Sequence, residues 1–354
     1  MIPRTPALIE VRDVDASEIP LHLTAEPRWQ RLLADAIEDP AELLRRLDLP
    51  ESLLEGAQAG ARLFRQRVPA PFIARMQPGN PQDPLLRQVL PLHAETETTT
   101  GFVTDPLGEI PRSSNHGIIR KYRSRALLVL TGACAVNCRF CFRRHYPYQE
   151  FHWQRTTQDQ ALAQIAADPD INEVILSGGD PLASNDRQLA QLVSALDRIP
   201  HLRRLRIHTR FPVVIPQRVD DALLDWLRKT RLQTIIVLHV NHPQEMDEAL
   251  ASAAARLRDA GATLLNQSTL LGGINDQVDT LVQLSETLFA RGILPYYLHA
   301  FDPVAGAAHF AVSDERAREL ARGLLEHLPG YLVPRLVREV PGASSKWPLD
   351  LGLA

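Results

Sequence analysis

Cysteine is nearly absent from this sequence: the 354 residues include only 3 cysteines, all in one short stretch. Disulfide stapling scatters cysteines along a chain and favours an even count, so that use is excluded. Also missing is any apolar run approaching the ~18 residues that a membrane-spanning helix needs. Charge of one sign is lacking too, since a formal net charge of -3 gives no general basic field for nucleic acid. The first residues, MIPRTPALIEVRDVD, lack the charged start and apolar core of a signal peptide, so the cytoplasm is the expected compartment. There is no internal repeat and no low-complexity segment. What is present is 45% hydrophobic and 23% charged residues, enough to bury a substantial core in one large domain or one domain plus an extension.

The cysteines stand as Cys134-Ala-Val-Asn-Cys138-Arg-Phe-Cys141. Thiolates this close can converge from one loop on a metal. A structural zinc would need a fourth ligand, and His145 or His152 would have to supply it. A cubane iron–sulfur cluster usually takes four cysteines, so three leave one iron open for a substrate or cofactor. The count therefore favours iron and sulfur.

Just before the loop, Arg125 to Thr131 reads as a buried parallel strand. Apolar runs of strand length recur at Glu173 to Leu176, Leu205 to His208, Thr234 to His239, Thr263 to Leu265 and Leu294 to Leu298. Helical patterns lie between and after them at Thr157 to Ala167, Asp186 to Arg198, Pro216 to Lys229, Pro243 to Ala260, Gln277 to Arg291 and Ser313 to His327. This alternation predicts an α/β fold with a partial (β/α)6 barrel, whose ligand site lies at the C-terminal ends of the strands. Polar residues follow those ends: Ser177-Gly-Gly-Asp-Pro181, Thr209-Arg210, Asn241-His-Pro243, Asn266-Gln-Ser268 and Asp302. Singly each is an ordinary turn; together they ring the cysteine loop. Before Pro84, Pro27 to Ile37 and Ala41 to Leu47 predict short helices broken by Pro40 and Pro50. The expected division is a helical extension over residues 1–84 and a barrel over residues 85–354.

The C-x3-C-x2-C spacing, with Phe140 before the last cysteine, resembles the signature of radical S-adenosylmethionine (SAM) enzymes, in which the open iron chelates SAM. Gly178, Gly179 and Asp180 resemble that superfamily's glycine-rich motif and would contact SAM. From about Pro84 onward the chain resembles lysine 2,3-aminomutases, isomerases that also use pyridoxal 5′-phosphate (PLP). The resemblance rests on Asp105-Pro-Leu-Gly-Glu109, Cys138-Arg-Phe-Cys-Phe-Arg-Arg144, Thr209-Arg-Phe-Pro-Val-Val-Ile-Pro-Gln-Arg218, Asn241-His-Pro243, Asn266-Gln-Ser268, Gly273-Ile-Asn-Asp276 and Asp302-Pro-Val-Ala-Gly306.

The resemblance implies a [4Fe-4S] cluster on Cys134, Cys138 and Cys141, SAM contacts that include Gln267, and an external one-electron reductant. Lys346, after the small-residue turn Val340-Pro-Gly-Ala-Ser-Ser345, would hold PLP as a Schiff base. Lys121 and Arg125 would bind its phosphate. Arg143 would pair with the carboxylate of the substrate L-lysine, and Asp302 and Glu339 with its distal ammonium. Within the family the chain looks most similar to the bacterial form that makes (R)-β-lysine for elongation factor P and its lysine ligase. Gln277 follows Asn275-Asp276 and no cysteine follows Cys141, so the structural zinc of longer relatives is not expected. A catabolic lysine or glutamate aminomutase, a radical SAM enzyme without PLP and a zinc-binding module are the alternatives.

Overall fold

The computed structural model describes residues 29–110, 117–148 and 155–352, except the side chains of Lys121 and Arg155. Short helices come first: α1 (Trp29–Ala34), α2 (Pro40–Arg46), α3 (Leu54–Leu63) and the single turn α4 (Ala70–Ile73). The first two fall in the segments expected to be helical. Asp39 sets the start of α2, because its carboxylate accepts the Ala41 amide at 3.0 Å and Pro40 follows where no amide partner is needed. The sequence pattern did not predict α3, whose apolar stripe is interrupted by Gly56 and Gly60. Packing explains Gly60: a Cβ there would lie 2.7 Å from the Leu92 carbonyl, so glycine lets α3 press against that backbone.

Among the described residues a sheet of 9 strands follows in chain order. β1 (Ile118–Tyr122) runs antiparallel to β2 (Arg125–Val129). From β2 onward the strands are parallel: β3 (Glu173–Ser177), β4 (Arg204–Thr209), β5 (Gln233–Leu238), β6 (Thr263–Thr269), β7 (Leu294–His299) and β8 (Arg335–Arg338). A final short strand, β9 (Trp347–Pro348), returns antiparallel to β8. Connections between parallel strands carry α5 (Arg155–Ala166), α6 (Asp186–Asp197), the turn α7 (Phe211–Val214) with α8 (Asp221–Lys229), α9 (Glu248–Asp259), α10 (Val278–Ala290) and α11 (Asp314–His327). The expected α/β partial barrel is thus present in β2 to β7 with their helices, and β8 extends it. Its two edges, β1 and β9, do not pair with each other, so the barrel is open.

Two helices begin later than the sequence pattern predicted. Pro216 and Pro243 each open only a single 3-10 turn, Pro216–Arg218 and Pro243–Glu245. The α-helices restart at new caps, Asp220 and Asp247, whose carboxylates accept the Leu223 and Leu250 amides at 3.0 and 2.8 Å.

The interior also departs from expectation. Strands read as continuous apolar runs prove to alternate, and β4 shows it best. Leu205 and Ile207 are fully buried in one apolar core with Leu189, Leu223 and Leu227, while Arg206 and His208 line the barrel interior. The same alternation turns Ser177, Gln267, Thr269, Tyr297 and His299 inward. The centre is therefore a polar cavity rather than a packed core. The N-terminal helices share the outer core, in which Trp29, Leu43 and Phe72 join Leu176 and Ile236. Burying a side chain such as Phe72 stabilises the fold by ~1.5–3 kcal/mol. Among the described residues no helix is long and apolar enough to cross a membrane.

Candidate active site

A cavity of about 440 Å³ occupies the barrel interior. One end is bounded by Cys134, Cys138 and Cys141, the other by Arg125 and Arg335, the first residues of β2 and β8, and Lys346 and Glu339 stand in its wall. A second hollow, of about 560 Å³ between α1 and α6, has Arg67 as its one ionisable lining residue among the described residues, so the chemistry belongs to the first.

The cysteine loop is fastened on two sides. Toward β3, the Gly179 amide donates to the Thr131 carbonyl at 2.6 Å and the Asp180 amide to that of Ala133 at 2.8 Å. Toward α3, the Asn137 side-chain amide donates to the Arg65 carbonyl at 2.9 Å. The guanidinium of Arg139, fully buried, binds the Glu95 carboxylate and the carbonyls of Gly60, Phe64 and Arg65. Arg144 shares Glu95 at 2.7 Å. The N-terminal helices thus form one wall of the cysteine socket. Burial first, and then the neighbouring thiolates, push the Cys134 thiol well up and that of Cys141 to about 11. A strongly Lewis-acidic metal is what deprotonates such a set.

The glycines show a use not foreseen in the sequence. A Cβ on Gly178, whose φ is +125°, would lie 2.5 Å from the Thr131 carbonyl, and one on Gly179 would lie 2.5 Å from that of Ala133. Their bareness lets β3 meet the cysteine loop, whatever ligand they also touch. Asp180 likewise braces the scaffold. Its Oδ1 accepts from Leu182 N and Thr209 Oγ1 at 3.0 and 2.7 Å, and its Oδ2 from Arg210 N and Phe211 N at 2.8 and 2.9 Å. Burial still pushes its carboxyl up to about 6, against those bonds. With both oxygens so engaged, what this segment offers a ligand is chiefly backbone.

Arg143 is gripped before any substrate arrives. Glu109 takes its Nε and Nη2 at 2.7 and 3.2 Å, while Nη1 donates to Ser177 Oγ and the Gly178 carbonyl, both at 3.0 Å. Burial alone would lower the pKa of this arginine, but the Glu109 carboxylate holds it above the ordinary value. At the far end the ammonium of Lys346, on the turn between β8 and β9, is ion-paired with Glu339, and Tyr122 Oη lies 3.4 Å from the same carboxylate oxygen. Lys346 Nζ also sits 5.6 Å from the centre of the Tyr297 ring. Asp302, Gln267 and Arg125 line the cavity too, Arg125 with its guanidinium 4.2 Å over the Tyr122 ring. Lys121 belongs to β1 by its backbone; its side chain lies outside the described residues. His145 does not line the cavity, its Nε2 lying 3.1 Å from the Ala305 carbonyl, and His152 lies outside the described residues.

Sequence reasoning missed Glu109, Arg206 and three histidines, His208, His239 and His299, all of which line the cavity. Burial, reinforced by Arg206, keeps the pKa of His208 well below the usual imidazole value, and burial with Arg210 lowers that of His239 to about 4. Both imidazoles are therefore neutral. The missed signal was the alternation Arg204-Leu-Arg-Ile-His208, whose inward members are all polar.

An open α/β barrel with a three-cysteine loop past its first parallel strand defines a radical SAM enzyme, and residues 128–284 match the model of the Radical SAM superfamily. The chain is 50% identical over 337 residues to an L-lysine 2,3-aminomutase of Escherichia coli, covering 95% of this chain and 98% of that one. It is 50% identical over 321 residues to the enzyme of that name from Haemophilus influenzae, covering 91% and 95%. A third, from Buchnera aphidicola, is 45% identical over 327 residues, covering 92% and 96%. The chain belongs to the L-lysine 2,3-aminomutase family, and is an isomerase that works with a [4Fe-4S] cluster and SAM.

The residues present fit those groups. Three thiols face one cavity, and burial disfavours the ionisation of Cys134 and Cys141 by themselves. Among the described residues no three His, Cys, Asp or Glu side chains gather round a single metal ion, whereas a cubane spreads its thiolate ligands over separate irons. The Lys346 amine lies 5.6 Å from the centre of the Tyr297 ring, and Arg125 and Arg335 line the same cavity, groups that a phosphorylated aromatic aldehyde would need.

Proposed function

We propose that the chain converts L-lysine to β-lysine, in the R form, by a 2,3-amino shift that uses PLP besides the cluster and SAM. The observation that carries this reading is that three thiols and one lysine amine, with Asp302 and Glu339 beside them, line a single cavity of about 440 Å³. In this reading Cys134, Cys138 and Cys141 ligate the cluster, Gly178, Gly179, Asp180 and Gln267 border SAM, and Lys121 and Arg125 hold the phosphate of PLP. When bound, the cluster and SAM supply an organic radical that removes hydrogen from the substrate, and PLP supplies a conjugated ring that delocalises the unpaired electron.

The chain's own part is binding, orientation and exclusion of water. Arg143 offers a planar fork to the substrate carboxylate, so Glu109 must share that fork or yield it. Glu339 already holds an alkylammonium, that of Lys346. With Asp302 in the same cavity, this carboxylate would hold the distal ammonium of lysine. A glutamate substrate would instead bring a third carboxylate to that place. Leaving the lysine cation unpaired in a closed site would cost several kcal/mol, on the order of the penalty for a broken buried ion pair.

We assign the product to the modification of elongation factor P, on the resemblance of the motifs and on Gln277, which follows Asn275-Asp276. The cytoplasm and a division near residue 84 belong to the same proposal. Anaerobic incubation with L-lysine, SAM, PLP and a chemical reductant, followed by chiral chromatography, tests it. (R)-β-Lysine is the expected product; the S form, or faster rearrangement of glutamate than of lysine, would overturn it.

A further inference from the structure

We propose that Arg210 is a positioning residue that raises the readiness of the cluster to accept an electron, acting through the sulfur of Cys138. This rests on the proposed ligation of the cluster by Cys134, Cys138 and Cys141.

Arg210 follows β4, and its Nη1 donates to Cys138 Sγ at 2.8 Å. Its Nη2 is held by Gln88 Oε1 at 2.6 Å and Glu245 Oε2 at 2.9 Å, and its backbone amide by Asp180. The rings of Phe72 and Phe140 lie 5.4 and 5.5 Å from the guanidinium carbon. Glu245 is itself fixed, accepting the Asn241 and His242 amides at 2.9 and 3.1 Å and the Gln88 side chain at 3.1 Å. The guanidinium therefore cannot swing away from the sulfur. A cation that only braced the barrel would need Gln88 and Glu245; the bond to a proposed cluster ligand is the part that bracing does not explain.

Reduction adds one electron, hence one negative charge, to the cluster. A fixed N–H donor and positive charge at a ligand sulfur stabilise the reduced cluster more than the oxidised one, and so raise its midpoint potential. Glu245, one residue further out, opposes this. Water is largely excluded here, so neither effect is strongly screened. The two residues should therefore move the midpoint in opposite directions.

The test is an anaerobic redox titration of the reconstituted full chain, followed by electron paramagnetic resonance with neither SAM nor substrate present. Glu245→Gln keeps the acceptor oxygen and removes the charge, so the midpoint should shift to a more positive potential. Arg210→Gln in the Glu245→Gln background avoids stranding a buried carboxylate; its midpoint should fall below that of both Glu245→Gln and the wild type. Iron content and thermal midpoint report any structural loss separately. Unchanged midpoints in variants that hold their iron would overturn the role of Arg210 and leave the ligation intact. A wild-type chain that assembles no cluster would overturn the ligation and this inference together. Should the double variant fail to load, Glu245→Gln decides: a positive shift supports the inference and no shift overturns it.

Discussion

The two ends of the cavity handle charge differently. At the cysteine end the ionised side chains are dry and matched within the protein: Arg139 and Glu95 are each 0% exposed, and Glu95 serves two arginines. At the Lys346 end the pair Lys346 and Glu339 is 16% and 9% exposed and sits on the short edge pairing of β8 with β9. On the proposed function, such a difference separates a socket built before its ligand arrives from a pair whose partners are to be exchanged. Burying ion pairs seldom stabilises a fold on balance, but removing one partner from such a pair is costly. The cysteine end should therefore respond to mutation as scaffold, and the Lys346 end as ligand site.

The largest expected effect belongs to the cysteines. Replacing Cys134, Cys138 or Cys141 with alanine should abolish reductive cleavage of SAM, since on the proposed ligation losing one ligand would expose a second iron. Near-normal cleavage by any one of them, measured as 5′-deoxyadenosine formed under a chemical reductant, would break the comparison at its first term. Next comes Arg139→Met, which strands Glu95 with Arg144 alone. Urea unfolding should show a loss of about 3–5 kcal/mol. Lys346→Met should cost visibly less, and equal losses would mean that the two ends do not differ.

Asp302→Asn sharpens the ligand-site half. If the charge-assisted bond to the lysine ammonium is worth ~3 kcal/mol, turnover should fall by on the order of 10²-fold, with cleavage of SAM in the absence of rearrangement much less affected. An equal fall in both rates would move Asp302 into the scaffold. The smallest effect is on pH dependence. His208 and His239 stay neutral when folded but take protons below about 6.5 when unfolded, so their contribution is present above that pH and is lost as pH falls toward 4. Asp180 acts oppositely, holding its proton in the fold up to about 6, so stability from it is lost as pH rises through that value. Two imidazoles outweigh one carboxyl, and His239→Gln should flatten the net decline by up to ~1.4 kcal/mol per pH unit, read from urea midpoints at pH 7 and 5.

Much of this design was legible before the fold was known. The strands β2 to β7 and their helices follow from apolar runs alternating with helical periodicity, and the isolation of three cysteines in one segment singled out the loop. Less legible was β8, because Arg335 and Arg338 flank only Leu336 and Val337, and strand pairing with β7 overrides so short a pattern. The interior escaped notice for a related reason. Arg206 and His208 sit within a strand whose outward residues, Leu205 and Ile207, dominate its appearance. Asp180 was recognised as important for its place after two glycines, but sequence could not show that its carboxylate closes on Thr209, Arg210 and Phe211, some thirty residues on. Nor could it show that Glu109 meets Arg143, across 34 positions of chain.

The central claim is that one cavity joins a cluster socket to a lysine that holds PLP, and covalent trapping tests it most directly. Lys121, Lys229 and Lys346 are the only lysines in the sequence, so borohydride reduction of the PLP-loaded chain followed by peptide mass mapping has few places to land. A stoichiometric pyridoxyl label on Lys346 is the predicted result; a label on Lys121 or Lys229 instead, or none at saturating PLP, would contradict it.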